Sequence, residues 1–149
     1  MAAFTNRAEN LLLDWLFRGQ VAPALPASWY FGLLLAAAAD DGTPLTEVAA
    51  VGYARLPVPR ALASFAGTHG VGTTALSSGA SGTTSNNTAL QFVAPTADWG
   101  NIVALGIFDA ATGGNLWFTD RLTTARSVHA GDAPPTFLPA AFSFALDAG

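Results

Sequence analysis

Ile102-Val-Ala-Leu-Gly-Ile-Phe-Asp109, then Ala110-Ala-Thr-Gly-Gly114, then Asn115-Leu-Trp-Phe-Thr-Asp-Arg-Leu122 is the stretch on which the fold class turns. Two runs rich in β-branched and aromatic residues flank a short Asp…Gly-Gly connection. The two glycines supply the positive φ that a tight reversal needs, so the stretch predicts a β-hairpin. The same composition recurs outward along the chain. Trp29–Ala37, Val48–Ala54, Val58–Phe65, Thr88–Val93 and Phe137–Leu146 are each bounded by Gly, Pro, Asp or Asn and read as further strands. In the last of them Phe142, Phe144 and Leu146 alternate with Ser143, Ala145 and Asp147, the period of a strand with one buried face. About seven strands with regular turn signals and no βαβ alternation predict an antiparallel β-sandwich or jelly-roll-like domain over residues 29–147.

Two segments stand apart. Ala8, Leu11, Leu12, Trp15 and Leu16 follow helical spacing, which predicts a helix over residues 6–18. Asn6 and Glu9 have capping-box spacing at its start, and Gly19 stands where a C-terminal glycine belongs. The helix is expected either to pack on the core, with Trp15 inward, or to dock on a partner, since Trp15 and Phe17 fall on different faces. Gly67–Asn87 (GTHGVGTTALSSGASGTTSNN) is polar and glycine-rich. That composition builds no core and predicts a long mobile loop or arm. The proline-rich stretches Pro23–Pro26 and Ala133–Pro139 read as extended connectors.

Composition narrows the function. The 149 residues fit one domain large enough to fold without a disulfide or metal. There is no cysteine, which removes thiol catalysis and Cys-ligated metals. There is no lysine either; the six cations are arginines, spread along a chain of net charge −4. No basic face for nucleic acid is visible, and a phosphate-cradling P-loop lacks its lysine. Only 11% of residues are charged against 51% hydrophobic, so the surface is expected to carry apolar patches that another protein covers. No apolar run approaches the ~18 residues of a membrane span. His129 with Asp132 and Ser127 lacks a nucleophile-elbow motif, and His69 lies in the polar loop. Asp40-Asp41-Gly42, Asp98, Asp109 and Asp120 sit where turns are made. We therefore expect no enzyme, no cofactor and no metal. The four tryptophans are expected to fill the core, with one of them free to anchor an interface.

Three segments carry a resemblance. Thr5-Asn-Arg-Ala-Glu-Asn-Leu-Leu-Leu-Asp14 is the first, and Leu45-Thr-Glu-Val48 with Gly52-Tyr-Ala-Arg55 the second. The third runs from Thr96-Ala-Asp-Trp-Gly100 through Phe108-Asp-Ala-Ala-Thr-Gly-Gly-Asn-Leu116 and Leu122-Thr-Thr124 to Ala130-Gly-Asp132. In this order the chain resembles small tailed-phage structural proteins described as tail-fibre-like or minor tail proteins. It departs from them at Ala125-Arg126, where a lysine usually follows Leu-Thr-Thr. The resemblance implies a virion protein, assembled in the host cytoplasm and located on the capsid surface or the tail. A compact body with an arm and no fibrous shaft favours a head decoration (cement) protein, with the major capsid protein or other virion proteins as partners. The alternative is a tail or tail-fibre component that serves host adsorption. A carbohydrate-binding module resting on surface aromatics such as Trp117 is the third reading. A dimer or trimer is expected, with Leu12, Trp15, Phe17, Arg18, Trp29, His69 and Trp117 as candidate interface residues and neither nucleic acid nor membrane as a partner.

Overall fold

A computed structural model describes residues 3–146. Asp147, assigned above to the last strand, lies outside them. The elements in order are β1 (Ala3–Phe4), α1 (Asn6–Phe17), β2 (Ser28–Leu34), β3 (Leu56–Pro59), β4 (Thr83–Ser85), β5 (Leu90–Gln91), β6 (Gly100–Phe108), β7 (Leu116–Val128), β8 (Thr136–Phe137) and β9 (Ser143–Ala145). The domain is small, mainly β and antiparallel, as its composition predicted. One five-stranded sheet has the order β1-β7-β6-β2-β3, and β4-β9 and β5-β8 form two-stranded ribbons.

The central hairpin is the one read from Ile102–Leu122, and its strands run longer than expected. Alternation along β2 and β6 explains the layering. Phe31 and Leu33 on β2, with Leu105 and Ile107 on β6, enter one cluster; Leu34, Ala104 and Phe108 enter another on the opposite face, and Ile102 rejoins the first across the register shift that separates it from Ala104. The ribbons cover the first face, bringing Leu90, Phe137, Phe142 and Phe144 into contact with it. Phe31 meets Phe142 with ring centroids 6.3 Å apart. Each such side chain, once buried, contributes about 1.5–3 kcal/mol.

Gly32 and Gly106 face each other across β2 and β6. A Cβ on either would lie 2.9 Å from the Phe108 ring. The glycine pair thus makes the seat for that ring. On β7 the register against β6 slips. Between the partners Ile102↔Arg126 and Ala104↔Arg121, β6 has one residue, Val103, and β7 has four, Leu122 to Ala125. The three residues in excess bow out of the ladder, an enlarged form of a β-bulge.

Several sequence expectations are corrected here. Val48–Ala54 is not a strand: after one bridge between Leu34 and Glu47 it turns at Val51-Gly52, where Gly52 has φ +80°. Val58–Phe65 stops being a strand at Pro59, because turns follow. Phe137–Leu146 is two short strands. Pro139 cannot donate to a ladder, and Ala140 takes φ +62° as the chain reverses between them. Residues 67–87 are not an extended arm. Their last part is β4 and the wholly buried Asn86. Their first part is folded on itself, with Thr68 Oγ1 donating to the Ser78 carbonyl (2.6 Å) and Asn87 Nδ2 donating to the Thr73 carbonyl (2.8 Å).

Candidate interaction surface

Helix α1 starts as its sequence requires but not with the expected cap. The N-cap is Thr5, and its buried hydroxyl donates to the Leu116 carbonyl (2.9 Å), riveting the helix base to β7 rather than capping the first turn. At the other end Gly19, at φ +67°, lets the Gln20 N–H return to the Asp14 carbonyl (3.1 Å). Between these ends the body covers little of the helix. Ala8 is fully buried, and Leu11 and Leu12 are half-buried. Trp15 and Leu16, on the same stripe, are exposed, and Phe17 is 78% exposed. The reading of α1 as a core-packing helix with Trp15 inward is therefore corrected. The stripe was identified rightly, but burial along it falls from Ala8 through half-buried Leu11 and Leu12 to exposed Trp15 and Leu16, so the end of the helix overhangs the sheet.

The second apolar surface is a groove of about 460 Å³ between the large sheet and the β4-β9 ribbon. Phe4, Trp29, Ile107, Phe118 and Phe144 give it aromatic and aliphatic walls, with no charged residue in the lining. Phe118 holds the wall together through edge-on contacts with Trp29 (5.8 Å) and Phe144 (5.3 Å).

The candidate interface residues are thus distributed unevenly. Leu12, Trp15, Phe17 and Arg18 gather on α1, where Arg18 pairs with Asp14 (2.7 Å) on the exposed side. Trp29 lines the groove. His69 is exposed in the polar loop, away from α1, and its Nε2 lies 3.0 Å from the Leu76 carbonyl of the same loop. Trp117 is buried, and its indole N–H donates to Asp109 Oδ2 (3.0 Å), so it offers no platform to a saccharide.

The polar groups in the resembling segments build structure. The Glu47 carboxylate accepts both Arg55 Nε (2.8 Å) and Arg55 Nη2 (2.7 Å), and also the Tyr53 hydroxyl (2.9 Å). Arg55 Nη1 then donates to the carbonyls of Ala110 (2.7 Å) and Gly113 (2.8 Å), and its guanidinium lies 3.4 Å from the Phe108 ring centroid. One arginine therefore ties the Leu45–Arg55 segment to the hairpin loop. Burial pushes the Tyr53 hydroxyl well above the ordinary tyrosine range, against the pull of the Leu33 N–H it accepts. Burial alone would raise the Asp109 carboxyl as well. Hydrogen bonds from the Asn115 N–H, the Asn115 amide and Trp117 outweigh it and hold that carboxyl below its usual range.

Asp98 and Asp132 make turns, accepting the N–H groups of Ala130 and His129. His129 Nδ1 stands 3.6 Å from Asp98 in an exposed pair, while the Ser127 hydroxyl donates to Asn101. These contacts do not assemble a nucleophile and base. Among the described residues no group of three or more His, Asp or Glu is placed to hold a metal, and no helix is long and apolar enough to cross a membrane.

Sequence reading missed the groove and Asn86. The groove arises from strands distant in sequence, which no local pattern shows. Asn86 is one of a pair of asparagines ending a low-complexity run, where nothing marks the buried one.

A protein-family model described as "Podophage GP4 fiber I protein gp80" matches residues 3–144. No curated protein matches.

Proposed function

The chain belongs to the podophage GP4 fiber I protein gp80 family, and on that premise we propose that this virion protein is a non-enzymatic component of the tail fibre, attached to its neighbours through α1. The family match carries the reading, because residues 3–144 include both the β body and the overhanging helix. It favours the fibre role over the head decoration that the compact anatomy predicts. The cement reading also leaned on an arm at Gly67–Asn87, and that segment is folded against its own body.

A compact body without a shaft spans little distance alone, so as a fibre component it works as one module among others. Attachment by α1 follows from hydrophobic burial. Residues 13–17 hold four large apolar side chains that their own chain leaves at least 45% exposed, a patch of the kind that marks a protein contact. The neighbours are other virion proteins and further copies of the chain, in a dimer or trimer.

Copy number and position test the assignment. Quantitative mass spectrometry of purified virions is expected to find few copies per particle, with antibody label at the tail. Removing the gene should leave full heads that fail to adsorb. A copy number matching the capsid lattice, with label on the head, would replace the fibre role with the decoration role.

A further inference from the structure

Helix α1 carries a second apolar face, and we propose that this face docks in the aromatic groove of the next copy of the chain, joining subunits head to tail. Leu13, Leu16 and Phe17 are spaced i, i+3, i+4 and so lie on one side of the helix, about 140° round from Ala8 and the body. They are 52%, 59% and 78% exposed, so the groove of their own chain does not hold them. Covering them leaves the seat of the helix on its own body untouched. The idea deepens the attachment through α1 and rests on it.

Charge, size and placement point to a second copy as the occupant. No charged residue lines the groove, and the charged groups beside the stripe, Asp14 and Arg18, pair with each other at 2.7 Å. Docking therefore buries no unpaired charge. The hollow of about 310 Å³ under the bow of β7 offers no such seat, since Asp120, Arg121 and Arg126 line it. At about 30 Å³ for each water-sized group, the groove of about 460 Å³ takes about fifteen carbons, the complement of one phenylalanine and two leucine side chains. The groove opens on the face of the large sheet that carries Ile107 and Phe118. The base of α1 is tied to the other face, where the Asn6 N–H donates to the Asp40 carbonyl (2.7 Å) just beyond Ala37 and Ala38 of the Leu34–Phe108 cluster. A helix that leaves from one face and a groove that opens on the other make a heterologous contact, which closes into a ring or repeats as a row. Repetition supplies the reach that a body without a shaft lacks alone.

The stripe exposes about 350–400 Å² and the groove covers as much, so each contact buries about 700–800 Å² in total, under the ~1,000 Å² of a stable pair. The dilute chain is therefore a monomer, and copies join when concentrated or held side by side in the particle. Sedimentation velocity of the full chain from about 20 µM to about 1 mM tests this. The average mass is expected to rise steadily, with trimers and larger species at the top of the range. Leu16→Ser with Phe17→Ser removes the stripe, and Ala145→Arg puts a charge in the groove; each variant alone should stay monomeric. Mixed in equal amounts they should form dimers and nothing larger, because one keeps only a groove and the other only a stripe. Thr83→Arg, on the same wall of the groove, should repeat the result of Ala145→Arg, which separates a blocked groove from a misfolded chain. A wild-type chain that is monomeric throughout overturns the inference. If particles still lose the Leu16→Ser, Phe17→Ser subunit in that case, α1 attaches to a different virion protein and the attachment reading stands. Association that survives both Ala145→Arg and Thr83→Arg overturns it as well, since stripe then meets stripe. So does a mixture of the stripe and groove variants that stays monomeric.

Discussion

Asn86 concentrates more structure in one side chain than any other residue of the loop it ends. Fully buried, it donates through Nδ2 to the carbonyls of Thr88 (2.8 Å) and Leu138 (2.9 Å) and accepts the Phe142 N–H at Oδ1 (2.9 Å). These bonds hold the reversal between β8 and β9 that brings Phe142 into the core. Asn86→Ala would strand buried backbone groups without partners, so a loss of about 2–4 kcal/mol is expected. Chemical denaturation should show a lowered midpoint with an unchanged slope, whereas the same change at exposed Asn101 should leave the midpoint within about 0.5 kcal/mol. Asp109 gives a pH signature. Its carboxyl releases its proton more readily in the folded chain than in the unfolded one. Its stabilisation is therefore complete above the unfolded pKa of about 3.9 and disappears as pH falls through the lower folded value. Asp109→Asn should cost about 1–2 kcal/mol at neutral pH and less in acid, flattening the acid limb of a stability profile. A penalty equal at pH 7 and pH 3 would remove the charged form from the account.

At the scale of elements, α1 tests whether an exposed apolar stripe serves attachment. Replacing Leu16 and Phe17 together by serine touches nothing the body needs. The melting temperature should stay nearly constant, within the ~0.5 kcal/mol range of surface changes, while incorporation into virions, followed by immunoblot, should fall sharply. Ala8→Leu should do the reverse, costing about 1–3 kcal/mol by overfilling the one buried position. Which elements were legible in the sequence follows from how local their causes are. The β6-β7 hairpin was plain, because alternation and two adjacent glycines act within a few residues. The stripe on α1 was plain too, but the sequence could not say that the end of the helix overhangs the sheet. Val48–Ala54 has the composition of a strand yet turns, because Glu47, Tyr53 and Arg55 fold around one another and around carbonyls more than fifty residues away. The Phe137–Leu146 run was misread for want of weight on Pro139.

Across the whole molecule, the scarcity of charge sets how attachment should respond to solvent. An anchor of buried apolar side chains does not weaken when ions screen surface charge. Particles washed at ~1 M sodium chloride, where the screening length is near 3 Å, should keep the subunit. A mild non-ionic detergent or urea should release it. Release by salt alone would mean that paired charges, not the α1 stripe, hold it. The candidate site divides the same way as the fold. Composition predicted that apolar surface is left uncovered, and helical spacing offered α1 as a docking element beside its core-packing reading; only three-dimensional packing revealed the aromatic groove and the hollow under β7.

The order of the large sheet bears on how such a protein avoids pairing edge to edge with its own copies. Its outermost strands are β1, two residues long, and β3, whose Pro57 and Pro59 share one parity. Leu56 and Val58 on β3, and Arg60 just after it, are the residues whose N–H groups lie on the β2 side, as the Arg60 N–H to the Ala27 carbonyl (2.9 Å) shows. The prolines therefore remove the donors that would face outward. A newly made chain offers no continuous backbone template on that flank for a second chain to extend. On that flank, contacts between copies are left to side chains rather than to an extended ladder, so unplanned sheet growth is discouraged before the particle takes the subunit up.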